Sequence, residues 1–331
     1  MQHELIHGAS IFQRLELEWD QLAASAMTST PFQSRAYQQA WWNHLGPGEL
    51  FTIVLRNDDG SLCAIACFYL LDGVLHFNGG VEETDYLDLI AAAPDAPRAW
   101  ATVFELLENG LIPSWQGLNL CNIPQDSPSR TILQQLAQER GLKFSTVVQE
   151  VCPVVELPQN FDDYLMQLDK KQRHEIRRKK RRADAAGVEL KIVTGEDDIA
   201  AEVDDFLELL QMSTAEKEDW LNEGRRAVFH EVAKSALEAG TLQLLFLKQE
   251  NKKIAGLYNF DYNDRIWVYN SGLNIVEFGH LSPGVVLTAC AIELAIRAGR
   301  HEFDFLRGDE QYKYYFGAQD TTVHHIHITR A

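Results

Sequence analysis

The sequence of 331 residues is poor in cysteine and has no long hydrophobic run. Its five cysteines are odd in number and include no Cys-x-x-Cys pair, which favours a reducing cytoplasm over a disulfide-rich secreted class. No window approaches the roughly 18 apolar residues of a membrane-spanning helix. Because residues 1–4 contain neither a basic region nor an apolar core, we expect no secretory signal there.

Two kinds of catalytic motif are also missing. The Gly-x-Ser-x-Gly sequence that positions the nucleophile of many Ser-His-Asp hydrolases is absent. His325 and His327 would share one face of a final strand next to His324, but no Cys or carboxylate stands at ligand spacing beside them. We therefore expect no metal site, and we interpret these histidines as parts of an ordinary strand.

The chain has a net charge of −18, which argues against broad affinity for nucleic acid and against DNA as a partner. The charge is unevenly distributed. Nine of the 30 Lys and Arg, but only one of the 48 Asp and Glu, lie in residues 170–182, so this block carries a net charge of +8. Such a block is either an anion-binding site or a helix face that keeps its charges in water, and the sequence leaves both open.

The two halves of the chain repeat one order of predicted elements, namely three strands, a helix and a fourth strand. The strands of the first half begin near residues 51, 62, 74 and 118, and those of the second near 242, 253, 265 and 303. We therefore predict an α/β (α+β) fold of two similar domains, 1–152 and 153–331, each a mixed, mostly antiparallel sheet flanked by helices. Pro153 and Pro158 fit a boundary between them.

The helix predicted from residue 283 has the features of an anion-binding helix start. Ser282 can cap the helix with its hydroxyl, Pro283 suits the first helical position, and Gly284 lets a ligand approach the backbone. The N–H groups at such a start carry the positive end of the helix dipole, so a pyrophosphate would fit there. An ordinary capped helix would have the same sequence features.

The order of elements, this helix start and the sequence Asp-Phe-Leu-Arg-Gly-Asp-Glu-Gln-Tyr-Lys (304–313) resemble the GNAT superfamily of N-acetyltransferases. The sequence is most similar to the cellulose-biosynthesis (CelD-type) group, which is related to Fem-type aminoacyl transferases built from two GNAT-like domains. The resemblance covers residues 160–316 and includes an arginine-rich helix. Residues 278–284 keep glycines and a helix start but depart from the spacing of the superfamily's usual pyrophosphate loop.

The resemblance implies that an acyl-CoA binds where the third strand of the second half and the strand after the helix separate. It implies these carrier-binding residues: Tyr269, Asn270, Ser271, Gly272, Gly279, His280, Ser282, Pro283 and Gly284. The candidate substrate-binding residues are Arg173, Arg177, Arg178 and Arg307.

Acid–base candidates cluster after the predicted strand 303–306. Asp304 and Asp309 are the candidate bases, Tyr312 is the candidate acid, and Lys313 is a candidate contact for a phosphate or carboxylate. The alternatives are a buried Asp304 bonded to Arg307 or to a loop N–H group, and an Asp309 that simply lies in a surface loop.

We therefore predict a cytoplasmic, acyl-CoA-dependent N-acyltransferase that acts on an amine of a small molecule or sugar. Transfer would be direct, without a covalent enzyme intermediate. Two alternatives stay open. One uses aminoacyl-tRNA as donor, as Fem-type enzymes do, and the basic block would suit an RNA. The other is a non-catalytic tandem GNAT protein that binds an anionic partner.

Overall fold

The computed structural model describes residues 1–112 and 114–330 and divides into two compact units. The first unit contains Met1–Val151 and the chain from Thr321 onward, and the second is Cys152–Asp320. The sequence predicted a boundary after residue 152 and assigned the whole C-terminus to the second domain. The structure instead groups the last strand with the first unit, because that strand pairs there with another strand.

The first unit contains five α-helices among its described residues, with a 3₁₀ turn at Pro31–Gln33. The helices are α1 (Ser10–Arg14), α2 (Trp19–Ala24), α3 (Arg35–Leu45), α4 (Ala96–Glu108) and α5 (Ser129–Glu139). The strands are β1 (Gln2–His7), β2 (Glu49–Arg56), β3 (Leu62–Leu71), β4 (Val74–Phe77), β5 (Ile90–Ala91) and β6 (Gly117–Pro124). The chain leaves this unit within β7 (Lys143–Glu156) and returns to it in β13 (Gln319–Thr329).

The sheet of the first unit has the order β1-β2-β3-β4-β6-β13, with β5 paired to β3. β4 and β6 run parallel, whereas the pairs β1–β2, β2–β3, β3–β4, β3–β5 and β6–β13 are antiparallel. Helix α4 covers one face because its apolar residues recur at helical spacing, from Ala96 through Trp100 and Phe104 to Leu107. The resulting core buries Trp100 and Trp115 completely or nearly so.

The second unit contains these helices: α6 (Phe161–Gln167), α7 (Lys170–Ala185), α8 (Ile199–Ser213), α9 (Ala215–Trp220), α10 (Glu223–Glu238), α11 (Ile275–Phe278), α12 (Pro283–Arg297) and α13 (Gln311–Tyr314). A 3₁₀ turn at Gly279–Leu281 joins α11 to α12. Its strands are β8 (Val188–Ile192), β9 (Leu242–Gln249), β10 (Lys252–Tyr262), β11 (Arg265–Leu273) and β12 (Glu302–Asp304). Asp169 caps α7 with a capping box, which ends α6 and starts a new helix.

The sheet of the second unit has the order β7-β12-β11-β10-β9-β8, and only β11 and β12 run parallel. Each unit therefore has a mixed, mostly antiparallel sheet, and the predicted tandem α/β fold is confirmed. Helix α12 packs on the face that carries Leu257 and Val268, whereas α8 and α10 cover the face of Tyr258 and Tyr269.

Strands β11 and β12 separate after only three residue pairs, the last of which is Trp267 with Asp304. Beyond this point β11 continues to Leu273 with no strand partner on the β12 side among the described residues. A β-bulge at Tyr269, where the register with β10 shifts, bends the strand just after the separation. This stretch of β11 is called the free edge below.

Within the described residues, no single helix is both long and apolar enough to cross a membrane; one bent pair, Ile275–Leu281 with Pro283–Arg297 at 63°, passes by length and composition alone.

Gly272 is required by the packing of α8 rather than by an approaching ligand. A Cβ atom at this position would lie 2.6 Å from the backbone nitrogen of Leu210 and 2.7 Å from the carbonyl carbon of Leu209. Those atoms belong to a helix and cannot move independently. The free edge therefore has α8 directly against one face.

We predict that Gly272→Ala lowers the free energy of unfolding by about 1–3 kcal/mol, because overpacking forces α8 away from β11. Gly195→Ala is the matched control, since an added Cβ there meets no atom within 4 Å. Chemical denaturation of both variants measures the effect. Equal stability of the two would show that α8 does not pack this closely.

Candidate active site

The loop after β12 contains a strained backbone. Leu306 adopts a left-handed conformation with φ of 59° although it is not glycine, and Gly308 has φ of 109°. Leu306 is also buried, so the residues packed around it hold its backbone in this conformation. Strain of this kind costs about 1–3 kcal/mol and persists only where surrounding contacts impose it.

Asp304 supplies one of these contacts. Its carboxylate is 2% exposed, and Oδ1 accepts a hydrogen bond of 2.7 Å from the backbone N–H of Leu306. The sequence analysis left open that Asp304 is a buried aspartate bonded to a loop N–H group, and the structure contains that arrangement. The predicted role of Asp304 as a base stays a prediction, and any such role must coexist with this bond.

Lys313 supplies the other contacts. Its ammonium lies beneath the loop, 2% exposed, and donates to the carbonyl oxygens of Leu306 at 3.1 Å, Arg307 at 2.7 Å and Gly308 at 3.0 Å. Glu310 forms an ion pair with it at 2.9 Å. An ammonium has three N–H donors, so this set of acceptors occupies all of them. Direct contact between Lys313 and a phosphate, as the sequence suggested, would require some of these bonds to break.

The remaining acid–base candidates lie at the outer side of this loop. Asp309 and Glu310 are exposed, and Tyr312 is 39% exposed, with its ring 5.9 Å from that of Phe305. Although the residue as a whole is partly exposed, desolvation of its phenol raises the pKa of Tyr312, and the charge of Glu310 adds to the effect. The phenol thus stays protonated near neutral pH and can donate a hydrogen bond.

A residue that the sequence did not single out, Lys217, lies against the same region. Its ammonium donates to the carbonyl oxygen of Ser271 at 2.7 Å and approaches the Ser271 hydroxyl at 3.5 Å. Burial lowers the pKa of Lys217 to about 8; the charge of Glu310 opposes this shift and that of Lys313 adds to it. No sequence spacing signals this lysine, because only the tertiary fold brings α9 to β11.

Ser213 and Lys217 together occupy the free edge. The Ser213 hydroxyl accepts a hydrogen bond of 2.7 Å from the backbone N–H of Leu273. A backbone N–H has one hydrogen to donate, and that of Leu273 goes to Ser213. The backbone polar groups of Leu273 therefore point away from β10, and those of Ser271, two residues earlier, point the same way. The Ser271 carbonyl therefore faces the gap left by β12, where Lys217 meets it.

The start of α12 differs from the prediction in one respect. Pro283 occupies the first helical turn as expected, but the Ser282 hydroxyl makes no capping bond, because Ser282 has a left-handed backbone with φ of 55°. The hydroxyl instead accepts a hydrogen bond of 2.9 Å from the Arg182 guanidinium of α7. The backbone N–H groups of Gly284 and Val285 have no acceptor among the described residues.

The start of α12 lies close to the free edge, since a Cβ atom added to Gly284 would be 3.2 Å from Leu273 Cδ1. Gly279 and His280 lie in the exposed 3₁₀ turn before α12. Asn270 is half-buried beside the Tyr269 bulge. The predicted carrier-binding residues thus form one continuous region, except that Gly272 is covered by α8.

The arginines of α7 have separate roles in the structure. Arg173 donates to the carbonyl oxygens of Leu165 and Leu168 at 3.3 and 3.4 Å and so holds α6 to α7. Arg177 and Arg178 are exposed and paired with Asp162 and Glu175. A face of α7 presents exposed basic side chains at helical spacing: Lys170, His174, Arg177, Arg178 and Arg181. Arg307 lies in the loop after β12, half-buried.

A cavity of about 490 Å³ lies in the first unit, on the sheet face that carries His76, His325 and His327. Burial lowers the pKa of His76 and of His325, and the neighbouring histidines lower them further. No group of three or more metal-binding side chains is arranged for a metal ion in residues 1–112 and 114–330. With lowered pKa values, His76 and His325 are neutral polar groups near pH 7.

Residues 170–314 match the family described as "Acetyltransferase (GNAT) domain". This protein carries a GNAT acetyltransferase domain. The matched residues contain α7, the free edge, the start of α12 and the strained loop. A comparison with curated proteins gave no match. The GNAT assignment makes the protein an acyltransferase.

Solved structures share the fold over both units. FemX superposes with a TM-score of 0.70 at 12% identity, covering 98% of this chain and 97% of that one. The C-terminal domain of a proposed lysylphosphatidylglycerol synthetase from Agrobacterium fabrum gives 0.60 at 9% identity, covering 97% and 92%. A tandem GNAT protein from the clavulanic acid biosynthesis pathway gives 0.52 at 12% identity, covering 98% of each. At these identities the similarity shows the tandem GNAT fold, which is the fold of the Fem-related group.

We predict that Lys313→Met destabilises the GNAT domain by about 3 kcal/mol, because buried carbonyl oxygens left without a donor each cost about 1–3 kcal/mol. The control is Lys252→Met, since Lys252 is 65% exposed and should change stability by no more than about 0.5 kcal/mol. Urea denaturation measures both variants. A Lys313→Met protein as stable as the control would mean that the strained loop does not depend on this ammonium.

We also predict that Lys217 makes the stability of the GNAT domain depend on pH. Its pKa of about 8 lies below the ordinary 10.5, so between these values the unfolded chain binds more protons than the folded one. The free energy of unfolding should therefore rise as the pH increases through this range. Compared with Lys217→Met, the gain is about 1 kcal/mol between roughly pH 7 and pH 9.

Denaturation of the parent and Lys217→Met over a pH series tests this prediction, with Lys252→Met as control. If the parent and Lys217→Met show parallel pH dependence, the ammonium is not shielded from water as the structure indicates.

Proposed function

We propose that the protein transfers an acyl group from a CoA thioester to an amine of a small molecule or sugar. The observation that carries this proposal is the free edge of β11, which leads from the separation of β12 to the start of α12. An extended carrier can form backbone hydrogen bonds with the groups of this edge that Ser213 and Lys217 leave unoccupied, as an added strand does. The transfer itself is direct, from thioester to amine.

The start of α12 would hold the carrier's pyrophosphate. The N–H groups of Gly284 and Val285 are available there, and the helix dipole favours negative charge. Arg182 adds a guanidinium 2.9 Å from the Ser282 hydroxyl. Backbone donors and an arginine side by side make a favourable phosphate site, since charge-assisted bonds are roughly twice as strong as neutral ones.

The loop 306–312 would supply the chemistry next to the thioester. A base must take a proton from the attacking amine, and the exposed carboxylate of Asp309 is available; that of Glu310 is exposed but paired with Lys313. The neutral phenol of Tyr312 can donate a hydrogen bond to a developing negative charge. Lys313 contributes by holding the loop in its strained shape.

A second candidate is transfer from an aminoacyl-tRNA, the donor of the Fem-type enzymes that the sequence resembles. The exposed basic face of α7 supports it, because a stripe of exposed cations suits a phosphate backbone. Lys170, Lys171 and Lys179 have no ion pair among the described residues, so part of this charge is available to a partner. The net charge of −18 makes any such contact local.

Gly284→Glu tests the CoA proposal. A glutamate in the first turn suits the helix dipole but places a carboxylate at the proposed pyrophosphate site, so CoA affinity should fall by about tenfold or more, about 1.4 kcal/mol, with little loss of stability. Isothermal calorimetry with CoA measures the affinity, and Gly195→Glu is the control because its surroundings are open.

Three results separate the candidates. Binding of CoA that is weakened by Gly284→Glu alone supports the thioester donor. Salt-sensitive binding of tRNA without binding of CoA favours the aminoacyl donor. CoA affinity that is equal in the parent and both variants would show that the pyrophosphate lies elsewhere.

A further inference from the structure

Lys217 is an ammonium that the fold shields without providing it with an ion pair. Among the described residues it has one short acceptor, the Ser271 carbonyl oxygen at 2.7 Å, and a long contact with the Ser271 hydroxyl at 3.5 Å. Glu310 acts on it only at longer range, and Lys313 repels it. At least one of its three N–H donors is therefore available to a ligand.

Placing the Lys217 ammonium away from water without an ion pair costs stability, and the position of this lysine does not require it. Helix α9 has no buried residue, so a lysine on it could place its charge in water at no cost. The Lys217 side chain instead extends inward to the free edge. A charge shielded in this way, without a carboxylate partner, reduces stability. Such groups are typical of functional sites, where reactivity rather than stability determines the environment.

We propose that Lys217 is a catalytic residue of the acyl transfer, whose ammonium contacts the acyl donor at the free edge of β11 and donates a proton to the leaving group. This inference rests on the proposed function. The location follows from the Ser271 carbonyl, which points into the gap where β12 leaves β11. A thioester carried along the free edge would place its carbonyl carbon and sulfur beside this ammonium.

The proton and electron changes balance without a further reactant. The amine nitrogen of the acceptor attacks the carbonyl carbon, so a C–N bond forms, and the C–S bond breaks with its electron pair passing to sulfur. Lys217 Nζ gives one proton to that sulfur. A carboxylate of the loop takes one proton from the acceptor nitrogen, and solvent then restores the proton of Lys217.

Lys217 is chemically matched to this step. An acid works best when its pKa lies near the working pH and near that of the group it protonates. Burial brings the pKa of Lys217 to about 8, close to the ordinary thiol value of about 8.5. Two charged groups act on the pKa of Lys217. Glu310 raises it and so opposes release of the proton, whereas Lys313 lowers it and favours release. Tyr312, whose pKa is raised, is a weaker acid.

Competitive labelling of the full-length protein with acetic anhydride tests the contact without any assay of activity. Each lysine is followed by mass spectrometry over a pH series, with and without CoA. Lys217 should titrate below Lys252, which is 65% exposed and serves as internal control. With CoA at ten times its dissociation constant, labelling of Lys217 should slow by about tenfold while Lys252 is unaffected. Unchanged labelling of Lys217 under bound CoA would overturn the proposal.

Variants test the proton transfer with an amine acceptor found by thiol release from acetyl-CoA. Lys217→Met should retain CoA affinity but lose kcat by about 10²–10⁴-fold. Lys217→Arg keeps the charge but cannot release a proton near neutral pH, so it should show a similar loss. Lys252→Met should behave as the parent. Parental kcat in Lys217→Met would overturn the proposal, and parental kcat in Lys217→Arg would reduce the role to charge alone and so overturn the proton transfer.

Calorimetry with CoA distinguishes failure of the proposed function from failure of the Lys217 inference alone. If the parent does not bind CoA, the proposed function fails and this inference fails with it. If the parent binds CoA but Lys217 is neither protected nor required for kcat, the proposed function stands and only this inference fails.

Discussion

The ammonium of Lys313, bonded to three successive carbonyl oxygens, is the interaction on which the candidate site depends. It holds residues 306–308 in a backbone shape that includes a left-handed leucine, and Asp304 holds the same leucine from its N–H group. The carboxylates and the phenol of the following residues take their positions from this fixed loop. Part of the sequence motif thus supports the loop that carries the candidate acid–base groups.

The second constraint is the early separation of β11 and β12. Three residue pairs hold them together, and the edge of β11 beyond Trp267 is then left to side chains from α8 and α9. Gly272 permits this because α8 packs directly on its backbone. The helix thus fixes both the position of the free edge and the groups that occupy it, since Ser213 ends α8 and Lys217 follows in α9.

The fold could be predicted from the sequence because each half repeats local patterns, such as the hairpin strands before α12 and the Pro-Gly start of that helix. Several parts of the site could not. Ser282 has a left-handed backbone and its hydroxyl bonds to Arg182, one hundred residues earlier, so the expected cap does not form. Gly272 could be read as a ligand contact or as a packing contact until the position of α8 was known. Lys217 lies among acidic residues on a short helix, and no periodicity distinguishes it.

The distribution of cations explains why one lysine differs from the others. The chain has 30 Lys and Arg against 48 acids, and partly buried cations find carboxylates, as Lys180 does with Glu293 and Lys253 does with Glu202. Lys313 also has such a partner in Glu310. Lys217 is partly buried, and its ammonium has no carboxylate partner among the described residues. In a protein with more acidic than basic residues, a partly buried ammonium without a carboxylate partner lowers stability, and its position at the free edge of β11 supports the role proposed for it in acyl transfer.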